Sequence, residues 1–172
     1  MAEVIDIEII STCDDMYKAA NRVFEDFFNV KLAIKNALMM DSWSFDNIHE
    51  IGIDQIEREL NKLSNNIMTI KFDSSIGEVG TYIEKKEEEY IYECWLNPND
   101  ELSEYDYKKL QTEIVNFFLN NKDIIVCGIG REVVFDYDKG LENSILESKN
   151  FDVWIVNNDE LKAKLCTMST II

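Results

Sequence analysis

The chain has one proline, one histidine and no Cys-x-x-Cys pair, and each shortage removes a class of explanation. A single proline among 172 residues, with only six glycines and no Ser/Gly/Pro-rich stretch, argues against a flexible linker or a disordered tail. No segment repeats internally. No apolar run approaches the length that spans a bilayer. The opening "MAEVIDIEII" lacks the basic start and apolar centre of a secretory signal, so a cytoplasmic protein is expected, with no membrane partner. The four cysteines, Cys13, Cys94, Cys127 and Cys166, are far apart, and a domain of this size holds together without staples, so four reduced thiols are expected.

With His49 the only histidine, a two-imidazole shuttle or a His-rich zinc site is excluded. "DNIHE" places it between Asp46 and Glu50, without the spacing of a zinc-protease helix, and a surface imidazole bonded to a neighbouring carboxylate is the expected state. "GIG" at Gly128 to Gly130 lacks the third glycine of a dinucleotide fingerprint and reads as a tight turn between two strands. "KGLENS" at Lys139 to Ser144 does not complete a phosphate loop. No cofactor is implied. Cys127, at a strand end with Arg131 as its nearest basic neighbour, reads as a buried structural thiol rather than a nucleophile.

What the chain does have is a 46% hydrophobic content, enough for one sizeable core over residues 1–172. Ile5, Ile7 and Ile9 alternate with Asp6 and Glu8, the pattern of a strand with one wet face. Ser11 and Thr12 precede a helical stripe of Met16, Ala20, Val23, Phe27 and Val30 that extends toward Met40 unless it breaks near Asn29. "DSWSFDNIHEIG" reads as a loop whose Trp43 and Phe45 must bury. A second helix carries Ile53, Ile56, Leu60 and Leu63. Strands follow around 68–72, 79–83 and 90–96, with Glu84 to Glu89 as a connection and Pro98 as a stop. A helix over 101–120 comes next, then strands at 124–127, 132–137 and 151–156 with short helices near 141–147 and 159–165. This order predicts a single α+β domain, with a mostly antiparallel sheet covered by helices on one face.

Charge is the strongest signal. Thirty-four acidic against 17 basic side chains leave a net charge of −17, which repels nucleic-acid backbones and anionic lipid and favours a basic protein partner. The excess concentrates between Glu84 and Asp106, where nine carboxylates face only Lys85 and Lys86. Period-two alternation puts Ile91, Glu93 and Trp95 on the side of the 90–96 strand opposite Tyr90, Tyr92, Cys94 and Leu96. An aromatic anchor with a charged rim is the usual design of an interface. The candidate partner-binding set is therefore Glu87, Glu88 and Glu89 before the strand, Ile91, Glu93 and Trp95 on it, and Asp100, Glu101, Glu104 and Asp106 after it.

In size, acidity and absence of catalytic motifs the chain resembles bacterial immunity proteins that protect a cell against a protein toxin. The resemblance implies a non-enzymatic protein that neutralises a basic toxin domain by occluding its functional surface. Two other readings remain open: a nucleic-acid mimic whose carboxylates stand in for phosphates, and a small enzyme using paired carboxylates or Cys127. The Ile91 and Trp95 face could also pair two copies of the chain as a homodimer.

Overall fold

The computed structural model describes residues 3–166 and 168–172. It contains eight strands in one sheet: β1 (Ile5–Ser11), β2 (Ala33–Met40), β3 (His49–Ile51), β4 (Ile67–Asp73), β5 (Gly77–Lys86), β6 (Glu89–Pro98), β7 (Ile124–Val134) and β8 (Lys149–Val156). Their spatial order is β3-β2-β4-β5-β6-β1-β7-β8, and every neighbouring pair is antiparallel. The helices are α1 (Met16–Phe28), α2 (Ile56–Asn61), α3 (Glu104–Phe118), α4 (Leu141–Glu147) and α5 (Asp159–Lys164). The α+β class and the antiparallel sheet are as the sequence predicts. Among the described residues no helix is long and apolar enough to cross a membrane.

The first face of the sheet carries the main core. Ile5, Ile7 and Ile9 of β1, Tyr92, Cys94 and Leu96 of β6, and Cys127 and Ile129 of β7 meet α1, α2 and α3 there. Helix α1 contributes Met16, Ala20, Val23 and Phe24; α3 contributes Tyr107, Leu110, Ile114 and Phe118, one stripe at helical spacing. Ser103 starts α3 by accepting the backbone N–H of Asp106 at 3.1 Å.

Helix α1 does not continue to Met40. Asn29 turns into the left-handed region at φ 52°, and its N–H closes onto the Glu25 carbonyl, a common helix stop. Residues 33–40 then pair with β4, because an extended segment buries Ala37 and Met39 against the core while its backbone joins a ladder. The presumed connection from Glu84 to Glu89 is mostly strand as well: Lys85 pairs with Tyr90 and Lys86 with Glu89, leaving Glu87 and Glu88 as the turn.

"GIG" is not a turn. Gly128 and Gly130 lie inside the continuous strand β7. A Cβ on Gly128 would come within 2.7 Å of the Trp154 and Phe151 rings, so the missing side chain makes room for aromatics rather than for a bend.

The second face is covered only on its β8 side. Ile10, Ile91, Val126, Trp154 and Val156 form a smaller core there with Ile145 of α4 and Leu161 of α5. The end of the chain lies along β8, where Ile172 donates to the Trp154 carbonyl at 2.8 Å and closes that edge. The wet face expected for β1 is absent. Hydrogen-bonded to β6 on one side and β7 on the other, β1 is buried throughout, and Asp6 and Glu8 retain only 7% and 4% of their exposure.

The main core sets the stability. Phe24→Ala should lower the unfolding free energy by about 3–5 kcal/mol, the usual cost of an aromatic-sized cavity. Tyr105→Ala, on the exposed side of α3, should stay within about 0.5 kcal/mol in the same denaturant titration.

Candidate functional site: an acidic, aromatic cleft

Between that covered region and the loop after β2, the second face is open. Residues on three strands line up there in rows set by the sheet register. Tyr82 of β5 stands opposite Glu93 of β6, and Glu93 opposite Glu8 of β1. In the next row Gly80 faces Trp95, and Trp95 faces Asp6. On the other side Glu84 faces Ile91, and Ile91 faces Ile10. Period-two alternation is sufficient to bring these groups to one face.

The aromatic part is built around a glycine. A Cβ on Gly80 would sit 2.2 Å from the Trp95 ring, so the indole lies flat across β5. It stacks on Tyr82 with ring centres 4.7 Å apart. Trp43, from the loop between β2 and β3, meets the same tyrosine edge-on at 5.0 Å and donates its indole N–H to Glu84 at 2.6 Å. Trp43 and Phe45 were expected to bury, yet they remain 45% and 53% exposed; Trp43 is held by Tyr82 and Glu84 instead of by the core.

Phe135 to Asp138, on the connection from β7 to α4, form the opposite wall. Together these elements enclose a cleft of about 360 Å³ floored by Glu8 and Glu93, within the range of small-ligand sites. Lys86 lies at its rim, paired with Asp138 and 5.2 Å from the centre of the Tyr137 ring. Tyr137 in turn donates to Glu89 at 2.5 Å.

The electrostatics are unbalanced. Among the described residues the Glu8 carboxylate has no hydrogen-bond partner and no ion pair, although the residue is almost wholly buried. Burial, followed by the charges of Glu93, Asp6 and Glu84, holds its pKa well above the ordinary carboxylate range. Burial first, then Asp6 and Glu84, pushes Glu93 up to about 7. Asp6 is raised to about 6 by burial, against the lowering effect of the hydrogen bond from the Val133 N–H at 3.1 Å. Near neutral pH the floor therefore holds protons that a basic group could displace.

Of the residues singled out in the sequence, Ile91 and Glu93 line the cleft, Trp95 supports Tyr82 beside it, and Glu89 braces Tyr137. Glu87 and Glu88 are exposed in the turn. Asp100, Glu101, Glu104 and Asp106 lie beyond the other end of β6, which at ten residues is on the order of 30 Å long. There Glu104 pairs with Arg131 at 3.1 Å, and Asp106 accepts a bond from the capping Ser103. The acidic run thus divides between the two ends of β6.

Glu8, Tyr82, Trp43 and Tyr137 were not anticipated as site residues. The available signal was Ile10, which shares a face with Asp6 and Glu8 and marks that face as covered. Cys127 is fully buried in the main core with its thiol pushed well above the ordinary value, which leaves no nucleophile there. His49 is exposed, its Nδ1 3.4 Å from the Asn47 carbonyl. The one potential three-ligand metal cluster among the described residues, Cys13, Asp14 and Asp15, lies outside the cleft.

No protein-family model, curated protein or solved structure matches this chain.

A carboxyl whose pKa is raised by folding favours the folded state below its unfolded value and loses that contribution as pH rises through the folded value. For Glu93 the window runs from 4.5 to about 7. Glu93→Gln should therefore raise stability above that window by an amount on the order of 1 kcal/mol or more, and change it little at the acid end. Denaturant midpoints measured across pH check this. Gly80→Ala should displace the Trp95 ring, altering near-ultraviolet circular dichroism and tryptophan fluorescence while the far-ultraviolet spectrum persists. Its cost should be about 1–3 kcal/mol.

Proposed function

We propose that this is a non-enzymatic binding protein that neutralises a basic protein partner by occluding its functional surface, as an immunity protein does to a toxin. The observation that carries the reading is the cleft, whose floor carboxylates Glu8 and Glu93 have no basic partner among the described residues while its walls are aromatic. Carboxylates that open on a partly desolvated cleft without donors of their own form strong charge-assisted bonds with a partner that supplies positive donors. The net charge of −17 accelerates encounter with a basic surface and repels nucleic acid. A cytoplasmic location belongs to this proposal.

The alternative of nucleic-acid mimicry fits less well, because phosphate spacing calls for an extended acidic stripe and these carboxylates are gathered in a compact, aromatic hollow. An enzymatic reading has one specific observation in its favour. Glu8 and Glu93 face each other across neighbouring strands with raised pKa values, the form of an acid–base pair. Hydrolysis of a saccharide panel, abolished by Glu93→Gln, would favour it.

The binding reading is tested by immobilising the wild-type protein and the Glu8→Gln/Glu93→Gln double variant beside one another and offering both a native lysate at low and high salt. A strongly basic protein should be retained by wild type at low salt and released at high salt. The double variant should lose about 2 kcal/mol or more of the affinity, roughly thirty-fold. The purified partner's own activity should fall as the wild-type protein is added to equivalence. Equal retention by the variant, or a retained partner whose activity is untouched, overturns the reading.

A further inference from the structure

We propose that the cleft receives an arginine side chain of the basic partner, its guanidinium entering between the carboxylates of Glu8 and Glu93 and lying against the ring of Tyr82. This rests on the binding reading above and names the group that the site is built for.

Three features select it. The first is Glu8 itself, 4% exposed, without a hydrogen-bond partner among the described residues, and part of the cleft lining. An ionised carboxylate in that position needs donors from outside the chain. The second is the pairing of Glu8 with Glu93 in direct cross-strand register, which sets acceptor oxygens side by side on one floor. A guanidinium presents five donors in a rigid planar fork and can satisfy several such oxygens at once. Glu84 is less available, since one of its oxygens already accepts the Trp43 indole N–H.

The third feature is the aromatic wall. A guanidinium is weakly hydrated and stacks on aromatic faces, whereas an ammonium group is compact and strongly hydrated and gives up more on leaving water. Tyr82, already stacked on Trp95 and braced by Trp43, supplies a fixed ring beside the carboxylates. A divalent metal is a poorer occupant: among the described residues the acids of the cleft do not form a three-ligand group with atoms within 4.8 Å of one another. The chain's own cation at the rim, Lys86, is held by Asp138 and the Tyr137 ring.

Entry of a cation lowers the proton affinity of the floor. Glu8 and Glu93 are faced by Asp6 from β1, by Glu84 and Tyr82 from β5, and by the wall that carries Asp136, Tyr137 and Asp138 with Lys86 at its rim. The acids dominate this set and keep protons on the empty floor; the guanidinium replaces them. Protons leave on binding, so the affinity for arginine rises with pH through the range in which the Glu8 and Glu93 carboxyls lose their protons.

The test uses the full chain and three capped amino acids: Nα-acetyl-arginine methylamide, its lysine counterpart, and the citrulline compound, which keeps the shape of arginine without the charge. Binding is read from the indole N–H resonances of Trp43 and Trp95. The arginine compound should shift them saturably, at least ten-fold more tightly than citrulline and more tightly than lysine, and its affinity should increase from about pH 5 to about pH 8. Glu8→Gln and Glu93→Gln, each near-isosteric, should each weaken arginine at least ten-fold. Glu113→Lys, exposed on α3 over the opposite face of the sheet, should leave the titration unchanged.

Citrulline binding as tightly as arginine overturns the proposal, as does arginine binding that ignores both glutamine variants, or no saturable shift at all. Lysine binding as well as arginine overturns the guanidinium assignment. If the arginine titration fails while the Glu8→Gln/Glu93→Gln variant still loses a basic partner, the occupant is wrong and the binding reading stands. If the partner is indifferent to the variant as well, both fall.

Discussion

Everything on the second face follows from the position of β1. It is hydrogen-bonded along its length to β6 on one side and β7 on the other, near the middle of an eight-stranded sheet. Its three odd-numbered isoleucines belong to the largest hydrophobic cluster of the molecule, so the register has no freedom to slip. A shift of one residue would drive Asp6 and Glu8 into that cluster and bring Ile5, Ile7 and Ile9 out. Fixing the isoleucines therefore fixes the two carboxylates on the opposite face, where neighbouring strands and walls remove most of their water. The cost of burying them is carried by the packing of α1 and α3 on the first face.

Glycines determine how the second face is divided. At Gly128 and Gly80 the absence of a side chain lets a tryptophan lie across the strand, Trp154 over β7 and Trp95 over β5. The consequences differ with the surroundings. Trp154 is sealed by α4, α5 and the chain's end, which makes a dry cluster. Trp95 has only Tyr82 and the Trp43 loop beyond it, and the space toward Glu8 and Glu93 stays open. One device thus yields a closed core at one end of the face and a polar hollow in the middle, with Phe135 and Tyr137 on the boundary between them.

The charge distribution is more selective than the overall acidity implies. At one end of β6, Glu104 and Asp106 are engaged by Arg131 and by the cap of α3; on the wall of the cleft, Asp138 is engaged by Lys86. These are ordinary surface pairings of modest value. Among the described residues Glu8 and Glu93 have no such partner, and the same burial that raises their pKa values also strengthens any charge-assisted bond brought to them. Function is therefore best sought where the field is least compensated, rather than where acidic residues are most frequent in the chain.

By itself the sequence determined the α+β class, the mostly antiparallel character of the sheet, the presence of helices α1 and α3, and the sidedness of β6, because each depends on a local period of hydrophobic residues; it did not separate the buried stripe of α3 from its exposed Tyr105 and Phe117. It also placed Ile91, Glu93 and Trp95 on one face, from alternation alone. Only the tertiary structure decided that residues 33–40 form a strand, that Gly128 and Gly130 lie inside one, and that the acidic run divides between the two ends of β6. The candidate site belongs to this second group. Glu8, Trp43, Tyr82, Glu93 and Tyr137 are scattered from the start of the chain to its last third and meet through strand order and register, which non-local hydrogen bonds set. No spacing within the chain encodes that meeting, since a ladder partner is selected by the stability of the whole sheet and not by its neighbours in sequence.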